Sequence, residues 1–418
     1  KLPSKARSDY LQAMADHLQD HREELARTLT MENGKPLAQS KGEVGMAIDH
    51  FRWFAGEALR AYGRVVPHQE EGKRHLVIKT PVGVVGAISP WNFPVVLSAR
   101  KVAPALAAGC TVVLKPSSRT PLSGLALAEA ADAAGLPPGV LNVLVGDAAE
   151  ITNALMQEPA CRKISFTGST RVGKDLIRAS ADGVKNLSME LGGHAPLIVF
   201  DDADLEGAVE GALITKFRNT GQSCIAANRI YVQAGLYEQF VDRFVEETER
   251  LQVGPGLQEG VDIGPMIDDR SVETALDQVE DARERGARLL CGGNRVTGLP
   301  GYFLEPTVLA DVPEDCRCMH EETFAPVAPV VRFDDEEEGI EWANDTEYGL
   351  SAYAFTCDLS RMFRLAEGLE AGTIGINDPV PPTSQCPFGG FKQSGLGREL
   401  GTEGLEAFQE VKHVSIGI

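Results

Sequence analysis

From Val82 onward the apolar pattern switches repeatedly between the period of a buried strand and that of a helix, and this alternation constrains the chain more than any other feature. Residues 84–88 predict a strand, 95–108 a helix, 111–114 a strand, 122–134 a helix and 140–144 a strand. Helix 148–158, strand 163–166 and helix 169–180 continue the series. Strands separated by helices pair in parallel with helices over both faces, and binding sites lie at the carboxyl ends of the strands. The expected class is α/β, with a doubly wound parallel sheet first. A second α/β lobe follows, because 195–200, 205–216, 229–233, 236–251, 272–285, 327–333, 336–344, 351–355, 359–369 and 373–377 repeat the alternation.

A chain of 418 residues exceeds what one hydrophobic core supports, which agrees with more than one lobe. Ahead of the first strand, Leu11, Met14, Leu18, Leu25 and Leu29 recur at helical spacing over 10–30, and a second helix is expected over 44–60. Residues 63–81 read as extended and polar, with 75–79 as an edge strand. The glycine-rich stretch 253–265 reads as a surface loop, and the acidic run 334–338 as a helix N-terminus favoured by the macrodipole.

A formal charge of −20 repels phosphate backbones and anionic bilayers, so neither nucleic acid nor membrane is an expected partner. Even the apolar stretch 102–114 is interrupted by Pro104 and Gly109 and falls short of a bilayer span. Eight scattered cysteines point to a reducing cytoplasm; the chain opens on Lys1 without a signal sequence, a start expected to be trimmed. Cys316-Arg317-Cys318 has no ligand-spaced partner and reads as two reduced thiols in a surface segment. His17 and His21 lie one turn apart without the carboxylate of a metal motif, so they read as a solvated face and no metal is expected.

The segment Phe217-Arg218-Asn219-Thr220-Gly221-Gln222-Ser223-Cys224 sets one thiol just past a glycine among small and polar neighbours. Ile225-Ala226-Ala227 then resume an apolar run, which predicts a thiol at the lip of a helix, where the N-terminus lowers its pKa. A buried packing cysteine is the rival reading. Met189-Glu190-Leu191-Gly192-Gly193 supplies a carboxylate whose alternative fate is satisfaction by the N–H groups of Gly192 and Gly193. Pro90-Trp91-Asn92-Phe93-Pro94 supplies an amide that otherwise reads as a turn residue. Nucleophile, base and oxyanion donor are the parts an acyl-transfer site needs.

These words, with Phe166-Thr167-Gly168-Ser169-Thr170-Arg171-Val172-Gly173, Glu321-Glu322-Thr323-Phe324 and Pro387-Phe388-Gly389-Gly390-Phe391-Lys392, resemble the aldehyde dehydrogenase superfamily. The likeness runs in order from about Leu11 to the C-terminus and is greatest to the succinate-semialdehyde dehydrogenase branch. It implies that Cys224 attacks an aldehyde, that the Asn92 amide and the Cys224 N–H hold the oxyanion, and that Glu190 deprotonates the hydrolytic water. Lys101 matches a structural lysine near that amide, and Glu399 a structural carboxylate. For the cofactor it implies contacts from Ser89, Pro90, Trp91 and Leu191, with Gly168, Ser169 and Gly173 at the diphosphate. Lys115 is assigned to the adenosine ribose, Glu322 to the nicotinamide ribose, and Phe324 lies beside the ring. Ala325 stands where the family has Gly.

NAD-preferring relatives carry Glu at the place of Ser118. Here Lys115-Pro116-Ser117-Ser118 offers an ammonium and hydroxyls, with Arg119 next, so NADP is the expected cofactor and NAD a possible one. Arg100, eight residues after Asn92, and Arg218, six before Cys224, occupy positions at which the branch grips a terminal carboxylate; salt bridges are their alternative use. Where the branch completes that grip with a Ser, this chain is proline-rich over 377–386, leaving Thr383 or Ser384 to substitute and glutarate semialdehyde as an alternative to succinate semialdehyde. The resemblance also implies a cofactor-binding domain (1–62 and 82–192), a catalytic domain (193–404) and an oligomerisation arm (63–81 and 405–418), hence a homodimer or homotetramer. A coenzyme A-transferring dehydrogenase, a catalytically silent binding homologue and a nucleotide-free cysteine hydrolase are the competing readings.

Overall fold

A computed structural model describes residues 2–418; Lys1, on which the chain opens, lies outside the described residues. The alternation after Val82 folds into two largely parallel sheets. In the first, strands 395–396, 186–190, 161–167, 84–88, 111–115 and 141–143 lie in that spatial order. All its pairings are parallel except that of the late strand 395–396, which runs antiparallel to 186–190 with Gly395 opposite Glu190. Sequence order reverses beside Val84–Ile88, whose neighbours are Thr111–Lys115 and Cys161–Thr167, so its carboxyl end is a topological switch point. The second sheet orders strands 288–291, 307–310, 327–333, 227–233, 195–199, 351–355 and 373–376. Its inner strands, such as Ala195–Val199 and Ser351–Phe355, are buried along their whole length, as a sheet covered on both faces requires.

Several boundaries differ from the sequence expectation, each for a local reason. The helix foreseen over 10–30 is two helices, Ser4–Asp20 and Arg22–Asn33, because His21 leaves helical geometry and turns its Nδ1 onto the carbonyl of His17 at 2.9 Å. The helix foreseen from 44 starts at Leu37, directly after Pro36. Residues 75–79 are no edge: Lys73–Pro81 is the central strand of an antiparallel sheet, flanked by Arg64–Val66 and Gln409–Gly417. Strands Asn186–Glu190, Arg288–Cys291 and Thr307–Ala310 went unforeseen. Cys316 and Cys318 are fully buried, not on a surface segment, and pack in the second lobe's core as free thiols.

Helix Pro94–Ala108 matters most for the site, because every one of its residues is buried. Pro94 starts it where no N–H is needed, and Gly109 ends it at a φ of 94°. Its two cations, Arg100 and Lys101, are thereby carried into the interior.

Candidate active site

Glu190 ends a strand, Asn92 and Cys224 lie in the turns between elements, and Lys101 lies inside helix Pro94–Ala108. Asn92 follows strand Val84–Ile88, just before helix Pro94–Ala108. Its Nδ2 donates to the Gln222 carbonyl at 3.1 Å, which fixes the amide's orientation, since a carbonyl only accepts. The backbone carbonyl of Asn92 accepts from the Lys35 ammonium at 2.5 Å and from Asn219 Nδ2 at 2.9 Å. Lys35 in turn pairs with Glu43 at 2.7 Å, and Glu43 accepts the N–H groups of Val95 and Val96 at 2.9 and 3.3 Å. Burial pushes the Lys35 pKa down to about 8. The roles of Lys35, Glu43 and Asn219 were not read from the sequence; a charged residue on an amphipathic helix, such as Glu43, or in a loop, such as Lys35, gives no sign that it will be walled in.

Cys224 does not stand at a helix N-terminus. Helix Leu205–Phe217 ends before it, and Asn219, Thr220 and Gly221 follow at φ values of 52°, 60° and 71°, a left-handed run no helix can cross. Gly221 is forced, because a Cβ there would lie 2.2 Å from the Ala325 carbonyl oxygen. The expected lowering of the thiol pKa therefore gives way to the opposite. Burial, then the carboxylates of Glu322 and Glu190, push it up to about 12, with Arg100 pulling down. The Cys224 N–H faces its own thiol and, among the described residues, donates to no other, so an oxyanion donor stands beside the sulfur.

Glu190 ends strand Asn186–Glu190; its carboxylate acts on the thiol, and Gly193, three residues on, packs so tightly on the thiol's segment that a Cβ there would lie 2.1 Å from the Cys224 carbonyl oxygen. The neighbouring glycine N–H groups do not satisfy it: Gly192 donates to Thr170 Oγ1 at 3.2 Å and Gly193 to Glu322 Oε1 at 3.1 Å. Glu190 Oε2 is buried without a partner. Burial and the nearby Glu399 carboxylate hold its pKa well above the usual range, against the pull of Lys101, Arg100 and Arg398. Lys101 itself bonds Glu399 Oε1 at 2.5 Å and Thr167 Oγ1 at 2.6 Å.

The nucleotide candidates gather at the carboxyl ends of the first sheet. Ser89 bonds Ser98 at 2.7 Å, Pro90 follows it, and Trp91 meets Phe324 edge-on at 5.8 Å. Ser169 caps helix Thr170–Ser180 through Val172 N–H at 3.4 Å. The N–H of Gly168 donates to the Glu190 carbonyl at 3.0 Å, and Gly173 lets the helix approach Leu191, where a Cβ would meet that side chain at 2.4 Å. Ser117 accepts from Arg119 N–H at 3.2 Å, and Ser118 is exposed. The Arg119 side chain is turned to Asp268 at 2.6 Å.

Arg100 and Arg218 line one narrow cavity of about 40 Å³ together with Cys224, Phe93, Val380 and Phe388. Each guanidinium lies over a ring, Arg100 on Phe388 at 4.6 Å and Arg218 on Phe93 at 5.1 Å. Neither forms a salt bridge among the described residues. Thr383 and Ser384 stay out of this lining: Thr383 bonds Gln385 at 2.7 Å, and Ser384 is engaged by Asp49 and His50. No group of acidic, histidine or cysteine side chains among the described residues could hold a metal.

The architecture, two largely parallel sheets each covered by helices, is that of an α/β oxidoreductase. Specifically, the chain belongs to the aldehyde dehydrogenase family, whose model matches residues 1–414. It is 50% identical over 417 residues to the NADP(+) succinate-semialdehyde dehydrogenase of Escherichia coli, a match that covers 100% of this chain and 86% of that protein. Identity to a glutarate-semialdehyde dehydrogenase of Pseudomonas aeruginosa is 49% over 416 residues, covering 100% and 86%. Among solved structures, an E. coli NADP-dependent enzyme superposes with a TM-score of 0.99 at 50% identity, covering 100% of this chain and 87% of that one.

Proposed function

We propose that the chain oxidises a carboxylated aldehyde, succinate semialdehyde or its glutarate homologue, to the acid with NADP as oxidant and Cys224 as nucleophile. The observation that carries this reading is the single cavity shared by Cys224, Arg100 and Arg218. A sulfur at one end and two forked cations beside it suit an aldehyde bearing a distal carboxylate. With its pKa pushed up to about 12, the thiol is protonated at rest, so proton loss accompanies attack. Glu190 accepts that proton as the C–S bond forms and the carbonyl electron pair moves onto oxygen. The oxyanion is met by the Asn92 amide and the Cys224 N–H, which no other described residue engages. When bound, the nicotinamide nucleotide supplies the hydride acceptor that raises the adduct to the acyl level. Glu190 passes the thiol's proton to solvent, then takes one from water as the water oxygen adds to the acyl carbon; the C–S bond breaks and the departing sulfur takes that proton back to restore the thiol.

The residues present fit such a nucleotide. Lys115 is buried at a strand end with its pKa lowered by burial, yet its ammonium has no acceptor among the described residues. Glu322 spends one oxygen on Gly193 N–H, and burial raises its pKa to about 7. A cation and a carboxyl so disposed suit the two riboses, with Ser169 at the diphosphate and Ser117 and Ser118 at the 2′-phosphate. The division into cofactor domain, catalytic domain and arm follows the sheets, with strand 395–396 crossing back to the first. The exposed Val65, Val411 and Ile416 of the three-stranded sheet support a homo-oligomer. No helix among the described residues is long and apolar enough to cross a membrane, and a cytoplasmic setting suits the free thiols.

Absorbance of the reduced nicotinamide, followed with carboxylated and plain aldehydes and with both cofactors, tests the reading. Cys224→Ala should abolish oxidation and keep nucleotide binding, while Arg100→Ala and Arg218→Ala should lose the carboxylated aldehydes selectively. Turnover retained by Cys224→Ala, or a clear preference for NAD, would overturn the corresponding part.

A further inference from the structure

Arg100 is oriented by a chain of side chains that reaches away from the substrate cavity. Its Nε lies 3.4 Å from His50 Nε2 on helix Leu37–Arg60. A guanidinium only donates, so His50 Nε2 must be the bare nitrogen, and the proton of the neutral ring sits on Nδ1. His50 Nδ1 is 2.7 Å from Ser384 Oγ, and the same hydroxyl contacts the Asp49 carboxylate. A carboxylate only accepts, so the Ser384 hydroxyl donates to Asp49 and accepts from His50. The three bonds therefore have one consistent direction, from Arg100 through His50 and Ser384 to Asp49. Burial and the adjacent Arg100 charge hold the His50 pKa well below its ordinary value, so the ring stays neutral and keeps this tautomer.

We propose that His50 is a positioning residue for the carboxylate grip: it accepts the Nε–H of Arg100, and Ser384 and Asp49 fix the ring that does so. With Nε engaged and the guanidinium plane laid on Phe388, the two terminal nitrogens of Arg100 form the edge presented to the cavity. The same chain ties the proline-rich 377–386 loop, which supplies Val380 and Pro382 to the cavity wall, to the helix bearing Asp49 and His50. Ser384 thus serves the carboxylate from behind the arginine instead of touching it. This inference rests on the substrate reading above.

Steady-state kinetics with succinate semialdehyde and butanal, for wild type, His50→Phe, His50→Gln and Ser384→Ala, tests it. Removing a bond to a charged donor should raise KM for the semialdehyde in His50→Phe by about tenfold, with kcat and the butanal parameters little changed. In His50→Gln the amide oxygen can accept from Arg100 while its NH2 donates to Ser384, so most of the loss should be recovered. Ser384→Ala, which leaves the tautomer free, should fall between. A rise in KM equal for both aldehydes, or a glutamine variant no better than phenylalanine, would overturn the positioning role. If His50→Phe does not fold, as its thermal unfolding would show, the comparison of His50→Gln with Ser384→Ala decides. A wild type indifferent to the distal carboxylate would instead overturn the substrate reading, whereas a wild-type preference kept in full by His50→Phe overturns the positioning role alone.

Discussion

Two buried lysine–glutamate pairs flank the candidate thiol, and they are built to opposite ends. Lys35–Glu43, with both side chains 0% exposed, is closed: Glu43 also takes two helix N–H groups, and Lys35 also holds the Asn92 carbonyl and lies 4.0 Å over the Phe93 ring. Lys101–Glu399 is open. Lys101 serves Glu399 and Thr167, while an oxygen of Glu399 and an oxygen of Glu190 remain buried without partners. Two carboxyls there share one ammonium. A closed pair fixes geometry, here that of the oxyanion amide; an open one keeps a neighbouring carboxyl basic, since like charge and burial both disfavour its ionisation. The difference separates scaffold from chemistry without reference to distance from the sulfur.

Breaking the closed pair should have the larger effect on stability. Glu43→Ala leaves an uncompensated buried ammonium and two helix N–H groups without acceptors, and should cost about 3–5 kcal/mol in denaturant unfolding. Lys35→Met combined with Glu43→Gln should be milder, because no charge is left unpaired. A Glu43→Ala protein as stable as wild type would show that the network does not hold the turn. Glu190→Gln should behave in the opposite way, lowering kcat about 10²–10⁴-fold while leaving the unfolding midpoint unchanged or raised. A large loss of stability in Glu190→Gln would mean that this carboxyl belongs to the scaffold after all.

Next in size comes the cofactor side. Because burial raises the Glu322 pKa to about 7, its carboxyl is half ionised near neutrality. KM for the nucleotide should fall as pH rises through about 7 in wild type, and Glu322→Gln should flatten that dependence. A profile unchanged by the substitution would remove Glu322 from the ribose contact.

Much of this arrangement was legible before any coordinates. The strand–helix alternation gave the parallel sheets, because burial on both faces writes itself as continuous apolar runs. Cys224, Glu190 and Asn92 stood out through their glycine and proline neighbours, which mark strand ends and tight approaches. Geometry supplied what spacing cannot. Whether Cys224 follows or precedes a helix depends on the left-handed Asn219-Thr220-Gly221 run, and only the packing around the sulfur shows that burial raises the thiol pKa. Lys35, Glu43 and His50 were illegible for another reason. Glu43 and His50 look like the wet face of an amphipathic helix and Lys35 like a loop residue before it, and only packing against the Asn92 turn and the wholly buried helix Pro94–Ala108 walls them in.

The smallest effect tests the open pair directly. Glu190 has a folded-state pKa raised above its unfolded value, so its contribution to stability is present below the ordinary carboxylate range and is lost as pH rises through the folded pKa. Over that same window the base becomes ionised and the rate of acyl hydrolysis rises. Wild-type activity and stability should therefore run in opposite directions as pH climbs. Glu399→Gln removes the like charge that helps hold the Glu190 pKa up and frees the Lys101 ammonium to face Glu190. Both curves should then shift to lower pH together. A shift in activity alone would place the titration on another group, and no shift in either would mean that burial, the larger cause, sets the Glu190 pKa without help from Glu399.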